Sequence, residues 1–299
     1  MERNTVRLKR AGSPHLGERA FPRLMIAPTL VMMAVMTAYP MVFTLVYSFT
    51  DYKYGKLAGP SFILFDNYVS LFQNEYFRQA VWNTVKFTIL AVFFEMVFGL
   101  LVAVFINSIK RGQKLMRTLL LLPYLLPAVT VALSWRMMLS SNYGIVNQAL
   151  TALHLPVYNW FMDTHTAFGT ILLIDVWQNV PFVFLLLYAS LQGVSESQYE
   201  AARIDGAGVI QQFWYVTIPN IKNGLALCAL LRTIDTFRLF EKVNILTGGG
   251  PAGTTSTITQ FLYNYGIKNL KFGFGSAGAI VMTLLVLILS SFYIKKAMK

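Results

Sequence analysis

The sequence predicts an all-α membrane protein with six transmembrane helices. Hydrophobic residues make up 56% of its 299 positions and charged residues only 13%, an apolar share that no soluble core of this size needs. The apolar residues also gather into six runs near the roughly twenty residues that cross a bilayer. The basic residues are distributed unequally between alternate connections. The net charge of +12 therefore reflects topology, since Lys and Arg cluster beside apolar runs and do not line one face as nucleic-acid binding would require.

The tail from Met1 to Arg23 is basic and interrupted by Gly12, Pro14, Gly17 and Pro22, as expected of a cytoplasmic segment. The run that follows, Leu24 to Phe49, exceeds a signal-peptide core and lacks a small-x-small cleavage site, so it is expected to remain as the first span. Five further runs follow at Val85–Ile106, Leu115–Leu139, Ala167–Leu191, Ile221–Leu246 and Gly275–Ile294. These five make the stretch 80–299 a core of five helices, with a loop at 193–220 between its third and fourth.

Orientation follows from the connections. The two tails and the connections after the second and fourth spans carry fifteen Lys and Arg; the alternate connections carry five, namely Lys53, Lys56, Arg78, Lys268 and Lys271. The positive-inside bias places both termini and the 193–220 loop in the cytoplasm. The single cysteine, Cys228, leaves no intrachain disulfide and reads as a packing residue. His154 and His165 lack a third ligand at useful spacing, so no metal site is expected.

Polar groups within the spans mark candidate sites, because charge in hydrocarbon is costly and is usually turned toward a protein interior or an aqueous path. The fourth span carries Asp175, Trp177, Gln178, Asn179 and Pro181 in one run. Asn179 and Pro181 are expected to open the helix there, a common sign of a solute site. Gln178, Asn179 and Phe182 supply amides and an aromatic face that suit sugar hydroxyls and ring faces. In the fifth span, Arg232, Asp235, Arg238 and Lys242 recur at helical spacing on an arc that includes Leu239. That arc reads either as an ion-pair lattice, Asp235 joining Arg232 or Arg238, or as the lining of a path that includes Thr236. Glu95 is expected to pack against a neighbouring helix; Pro123 and Pro127 are expected to kink the third span. The turn Leu246-Thr247-Gly248-Gly249-Gly250-Pro251 lacks the strand and the Gly-Lys-Ser/Thr of a phosphate loop.

The loop from Glu200 to Pro219 carries the most specific pattern. Ser195 and Gln198 suggest a capping box, Gly206 and Gly208 a stop, and Pro219 the end of a second short helix. The first helix, about 15 Å long at the usual rise, is too short to span. Glu200-Ala201-Ala202, then Gly206 after three intervening residues, Phe213 and the Thr-Ile-Pro close resemble the EAA loop of permease subunits of binding-protein-dependent ABC importers. Ala38-Tyr39-Pro40, Leu122-Pro123-Tyr124, Trp177 to Pro181 and the Gly-rich turn are similar to the carbohydrate branch, and within it to the maltose and glycerol-3-phosphate F/A-type permeases.

The resemblance implies a type I ABC importer permease fold in the bacterial inner membrane, with one added leading helix. It implies a second permease, two ATPase subunits or domains that hold the ATP and magnesium, an extracytoplasmic solute-binding protein and a sugar substrate. It further implies ATPase coupling through Glu200, Ala201, Ala202, Asp205 and Gly206, and a solute path through Gln178, Asn179, Phe182, Arg232, Asp235, Thr236 and Leu239. No catalytic residue and no cofactor is expected in the chain. A secondary transporter driven by an ion gradient, with Glu95, Asp175 and Asp235 as its ion sites, is the alternative.

Overall fold

The computed structural model describes residues 16–55, 59–109 and 111–297. Most of the basic tail, together with Lys56, Lys110 and Lys299, lies outside the described residues. The chain runs through α1 Leu16–Ser48, α2 Asp66–Gln73, α3 Glu75–Ser108, α4 Gln113–Leu125, α5 Ala128–Met138, α6 Ile145–Ala152, α7 Ala167–Gln192 and α8 Glu196–Ile204. It continues through α9 Val209–Gln212, a π turn at Phe213–Thr217, α10 Ile218–Phe237, α11 Glu241–Leu246, α12 Ile258–Leu262, a second π turn at Tyr263–Lys268 and α13 Phe272–Ala297.

Among the described residues, four helices, in α1, α3, α7 and α13, are long and apolar enough to cross a membrane; α4 and α5, bent by 89° at the break between them, are apolar enough to make a fifth if they are one span. The first, second, fourth and sixth expected spans are therefore continuous helices. The third is broken between Leu125 and Ala128, where Pro127 withholds an N–H and disfavours helical backbone at Leu126. The fifth expected span is also broken, ending at Phe237 and restarting at Glu241. By contrast, the opening expected at Asn179 and Pro181 is absent: α7 is helical throughout. Pro181 costs the carbonyl one turn back its donor, but close packing against neighbouring helices keeps α7 helical through it. Helix α1 already includes residues 16–23, within the tail expected up to Arg23, since extending a formed helix costs far less than starting one.

Helix α7 is the centre of the bundle. In its apolar window 56% of the residues are buried, against 28% for α3, 22% for α13 and none for α1. Close approach is made possible by small residues: a Cβ at Gly99 on α3 would overlap Val183 on α7, and one at Gly224 on α10 would overlap Ser190 on α7. Two buried apolar clusters lie along this axis. One gathers Phe87, Ala91, Val131, Ile171, Ile174, Leu239 and Val243; the other gathers Ala103, Ile106, Val183, Phe184, Leu187, Ile221 and Cys228. Cys228 packs as expected. A third cluster, with Phe77, Phe237, Phe261 and Val281, ties α3, α10, α12 and α13 together.

Two of the connections are fixed by polar contacts. Asn67 on α2 donates to the carbonyls of Ser48 and Thr50 at 2.9 and 2.8 Å, holding the end of α1. In the aromatic segment after α5, Asn147 donates to Tyr158 O and accepts from Trp160 Nε1 at 3.0 and 2.9 Å. Trp160 is thereby turned against the core cluster, while Tyr143 and Tyr158 remain exposed.

Candidate functional site

The two helix breaks meet at one place. Each leaves carbonyls without helical partners, and in a membrane interior such groups must be satisfied locally. Leu126 O, at the α4–α5 break, accepts from Gln178 Nε2 at 2.9 Å. Leu239 O, at the α10–α11 break, accepts from the hydroxyls of Thr257 and Thr259 at 2.9 and 2.5 Å. Arg136 on α5 donates to Ile245 O on α11 at 2.9 Å, joining the two broken segments.

A cleft of about 430 Å³ opens between these breaks, lined by Tyr124, Ala128, Asp175, Gln178, Asn179, Arg232, Asp235, Thr236, Arg238, Leu239, Glu241 and Lys242. Six of the seven residues expected to form a solute path are therefore brought together here. The seventh, Phe182, stands behind the lining, its ring 5.3 Å from that of Tyr124. Arg238, which caps α10, and Lys242, which lies on α11, share the cleft with Arg232 although no single helical arc connects them. Sequence reasoning passed over Glu241 altogether and placed Tyr124 only within a family motif. Glu241 sits at the start of α11, and no periodic pattern reveals it until the break before it is known.

Beneath the cleft lies a charge network. Arg232 donates to Glu95 at 2.7 and 3.0 Å, to Asp235 at 2.6 Å and to Thr236 Oγ1 at 3.3 Å. Its Nη2 also lies 3.9 Å from Asp175 Oδ2. Lys242 pairs with Asp175 Oδ1, which also accepts from Asn179 Nδ2 at 3.1 Å. Glu95, Asp175, Arg232 and Lys242 are all buried, so each charge carries a desolvation cost that only its partners offset. The partner expected for Glu95 is thus Arg232 of α10. Asp235 pairs with Arg232 closely and with Arg238 at 3.9 Å, as the lattice reading of the basic arc expects, and the same residues line the cleft.

At the far end of α10 is the short-helix loop. Helix α8 ends as the Gly pattern requires. Gly206 has φ +81°, and the N–H groups of Gly206 and Ala207 bond back to Arg203 O and Ala202 O at 3.1 and 2.8 Å, a Schellman closure. The capping box does not form. Ser195 Oγ meets Ser197 Oγ at 2.7 Å, and Gln198 Oε1 accepts from Asn220 on α10 at 2.7 Å, so the far helix has taken the side chain the box needed. Nor does Pro219 end a helix. It occupies the first turn of α10, where a missing N–H is tolerated. The π turn before it carries the chain directly from α9 into α10, and Tyr199 OH lies 3.0 Å from Thr217 Oγ1. Glu200, Ala201, Asp205 and Gly206 are exposed and Ala202 half-buried. The apolar side chains of Ile204, Val209 and Ile210 stand beside them at 86%, 83% and 75% exposure, an unusual surface for a loop that faces only water.

Residues 95–295 match the model of the family described as the inner membrane component of binding-protein-dependent transport systems. The chain belongs to this family. It is 35% identical over 91% of its length to the trehalose/maltose transport system permease MalF of Thermococcus litoralis, covering 92% of that protein. It is 31% identical over 98% of its length to the sulfoquinovosyl glycerol transport system permease SmoG of Agrobacterium fabrum, covering 97% of it. The solved structure of a bacterial ABC transporter that imports the acidic polysaccharide alginate superposes with a TM-score of 0.83 at 22% identity, over 94% of this chain and 96% of that one. That likeness establishes the importer permease fold. As an inner membrane transport component the chain performs no covalent chemistry; hydrolysis belongs to a separate ATPase.

Proposed function

We propose that the cleft at the two helix breaks is the solute path of a sugar importer, and that α8 is the element through which the ATPase moves it. The family makes the chain the membrane subunit of a binding-protein-dependent ABC importer. Relatives that carry trehalose, maltose and sulfoquinovosyl glycerol in their names support a sugar or related polyhydroxylated solute. In this reading both termini and α8 face the cytoplasm, in line with the Lys and Arg bias. A second permease completes the path, and ATP and magnesium sit on the ATPase. Glu200, Ala201, Ala202, Asp205 and Gly206 meet that subunit, with the alanines permitting close approach.

One observation carries the proposal: α8, the π turn and α10 form a linked run, so the exposed loop and Arg232 in the cleft wall lie on one mechanical element. ATPase closure then shifts the foot of α10, and the cleft changes access at its head. The three acids of the ion-gradient alternative are instead committed to Arg232 and Lys242.

The test is purification of the whole complex from membranes, reconstitution into vesicles, and measurement of hydrolysis and sugar uptake with the loaded binding protein. Uptake that requires ATP and rises with the loaded binding protein is expected. Uptake driven by an ion gradient, with no ATPase present, would sink the reading.

A further inference from the structure

The relatives leave the charge of the solute open, since one name carries uncharged sugars and another a sulfonated glycoside. We infer that the cleft of this chain takes an uncharged, hydroxyl-rich solute and rejects anionic sugars, with Glu241 and Arg238 setting that preference. The inference rests on the cleft being the solute path.

The charges that first suggest anion binding are already spent within the protein. Arg232 is 2% exposed and gives its donors to Glu95, Asp235 and Thr236. Lys242 is 3% exposed and paired with Asp175. Drawing either cation toward a ligand would strand a buried carboxylate. Among the described residues, the accessible charges of the cleft are therefore Arg238, Asp235 and Glu241. That is one cation, itself 3.9 Å from Asp235, against two carboxylates.

The hydrogen-bonding capacity points the same way. Gln178 Oε1 and Asp175 Oδ2 are buried without hydrogen-bond partners, although Asp175 Oδ2 keeps Arg232 at 3.9 Å. Both residues line the cleft, and the exposed carboxylate of Glu241 adds acceptors to the same lining. A ligand that satisfies them must bring donors, as hydroxyl groups do; a carboxylate, sulfonate or phosphate brings acceptors only. An anion would thus meet like charge and leave the acceptors unpaired. A polyol supplies what both lack.

The experiment uses the complete membrane complex without its binding protein, so that selectivity imposed upstream does not enter. Equilibrium binding is compared for trehalose or maltose and for the same disaccharides bearing a uronate or sulfate. The neutral sugars are expected to bind at least about tenfold tighter, a difference of about 1.4 kcal/mol. Raising ionic strength should narrow the ratio by screening the repulsion. Glu241→Gln should narrow it as well, and Arg238→Gln should widen it. Both positions are exposed, so neither variant disturbs a buried pair. Anionic sugars binding as tightly as neutral ones, or a ratio that neither variant moves, would overturn the charge assignment while leaving the solute path intact. If no sugar of either kind binds and the loaded binding protein fails to stimulate hydrolysis, the solute path falls, and the charge assignment with it.

Discussion

Arg232 presents Nε and Nη2 to the two carboxylate oxygens of Glu95, at 2.7 and 3.0 Å, across the packed faces of α10 and α3. Glu95 is fully buried, and the pair lies between the apolar clusters on either side of it along α3. Glu95→Ala leaves the guanidinium buried with half its partners and should destabilise the protein by about 3 to 5 kcal/mol. Replacing both residues with apolar ones of similar volume should recover much of that loss. Thermal unfolding of the purified complex, followed by intrinsic fluorescence, checks both; a double variant no more stable than Glu95→Ala would show that the charges themselves hold the helices.

Gly206 closes α8 at φ +81°, with open space where a Cβ would sit. The cost of substitution is therefore one of backbone conformation alone. Gly206→Asn should preserve coupling, because Asn tolerates the left-handed region. Gly206→Val should not, and is expected to lower solute moved per ATP hydrolysed while membrane insertion remains normal. The check is the uptake-to-hydrolysis ratio in vesicles; equal ratios in the two variants would refute the conformational argument.

Helices α3 and α7 touch at Gly99, where an added methyl overlaps Val183. Gly99→Ala should cost about 1 to 3 kcal/mol through overpacking, and Val183→Ala in the same chain should restore part of it. A double-mutant cycle on thermal stability measures the coupling, and additive effects would mean that the two helices separate more readily than their packing indicates.

The Gly-rich turn after α11 is held down by α3. Asn83 Nδ2 donates to Gly253 O and Ser256 O at 2.9 and 3.0 Å, and Gln79 reaches Ala252 O at 3.3 Å. Asn83→Leu strips two carbonyls of their donor and should cost about 1 to 3 kcal/mol. Hydrogen exchange over residues 247–257 should accelerate, with the 193–220 loop unchanged.

The continuous spans were legible because bilayer length and apolar composition leave little freedom. The breaks were not, and the prolines show why. Pro127 and Pro181 look equally disruptive in sequence, yet Pro127 has a neighbour, Leu126, whose freed carbonyl finds Gln178, while Pro181 lies where α7 is packed on α3, α4 and α10. The difference lies in tertiary surroundings, such as the amide of Gln178, 52 residues away, that satisfies Leu126 O. The break at Arg238 was hidden further, because Arg232, Asp235 and Lys242 keep helical spacing across it. Most of the cleft could still be read from polar residues in apolar runs. Glu241 could not, since a charge at a helix start is ordinary until that start is known to lie inside the protein.

The π turn at Phe213–Thr217 sits at the foot of α10, and Arg232 lies 13 residues beyond Pro219, about 20 Å along the axis. A wide turn is a point where such a rod bends readily, and a bend there would make α10 a lever hinged at its foot. Over that arm, a tilt of about 10° carries the guanidinium roughly 3 Å, about the length of its bonds to Glu95. A small push on α8 would thus be magnified into a whole hydrogen-bond length at the cleft, so the buried Arg232–Glu95 pair stands where the leverage against it is large.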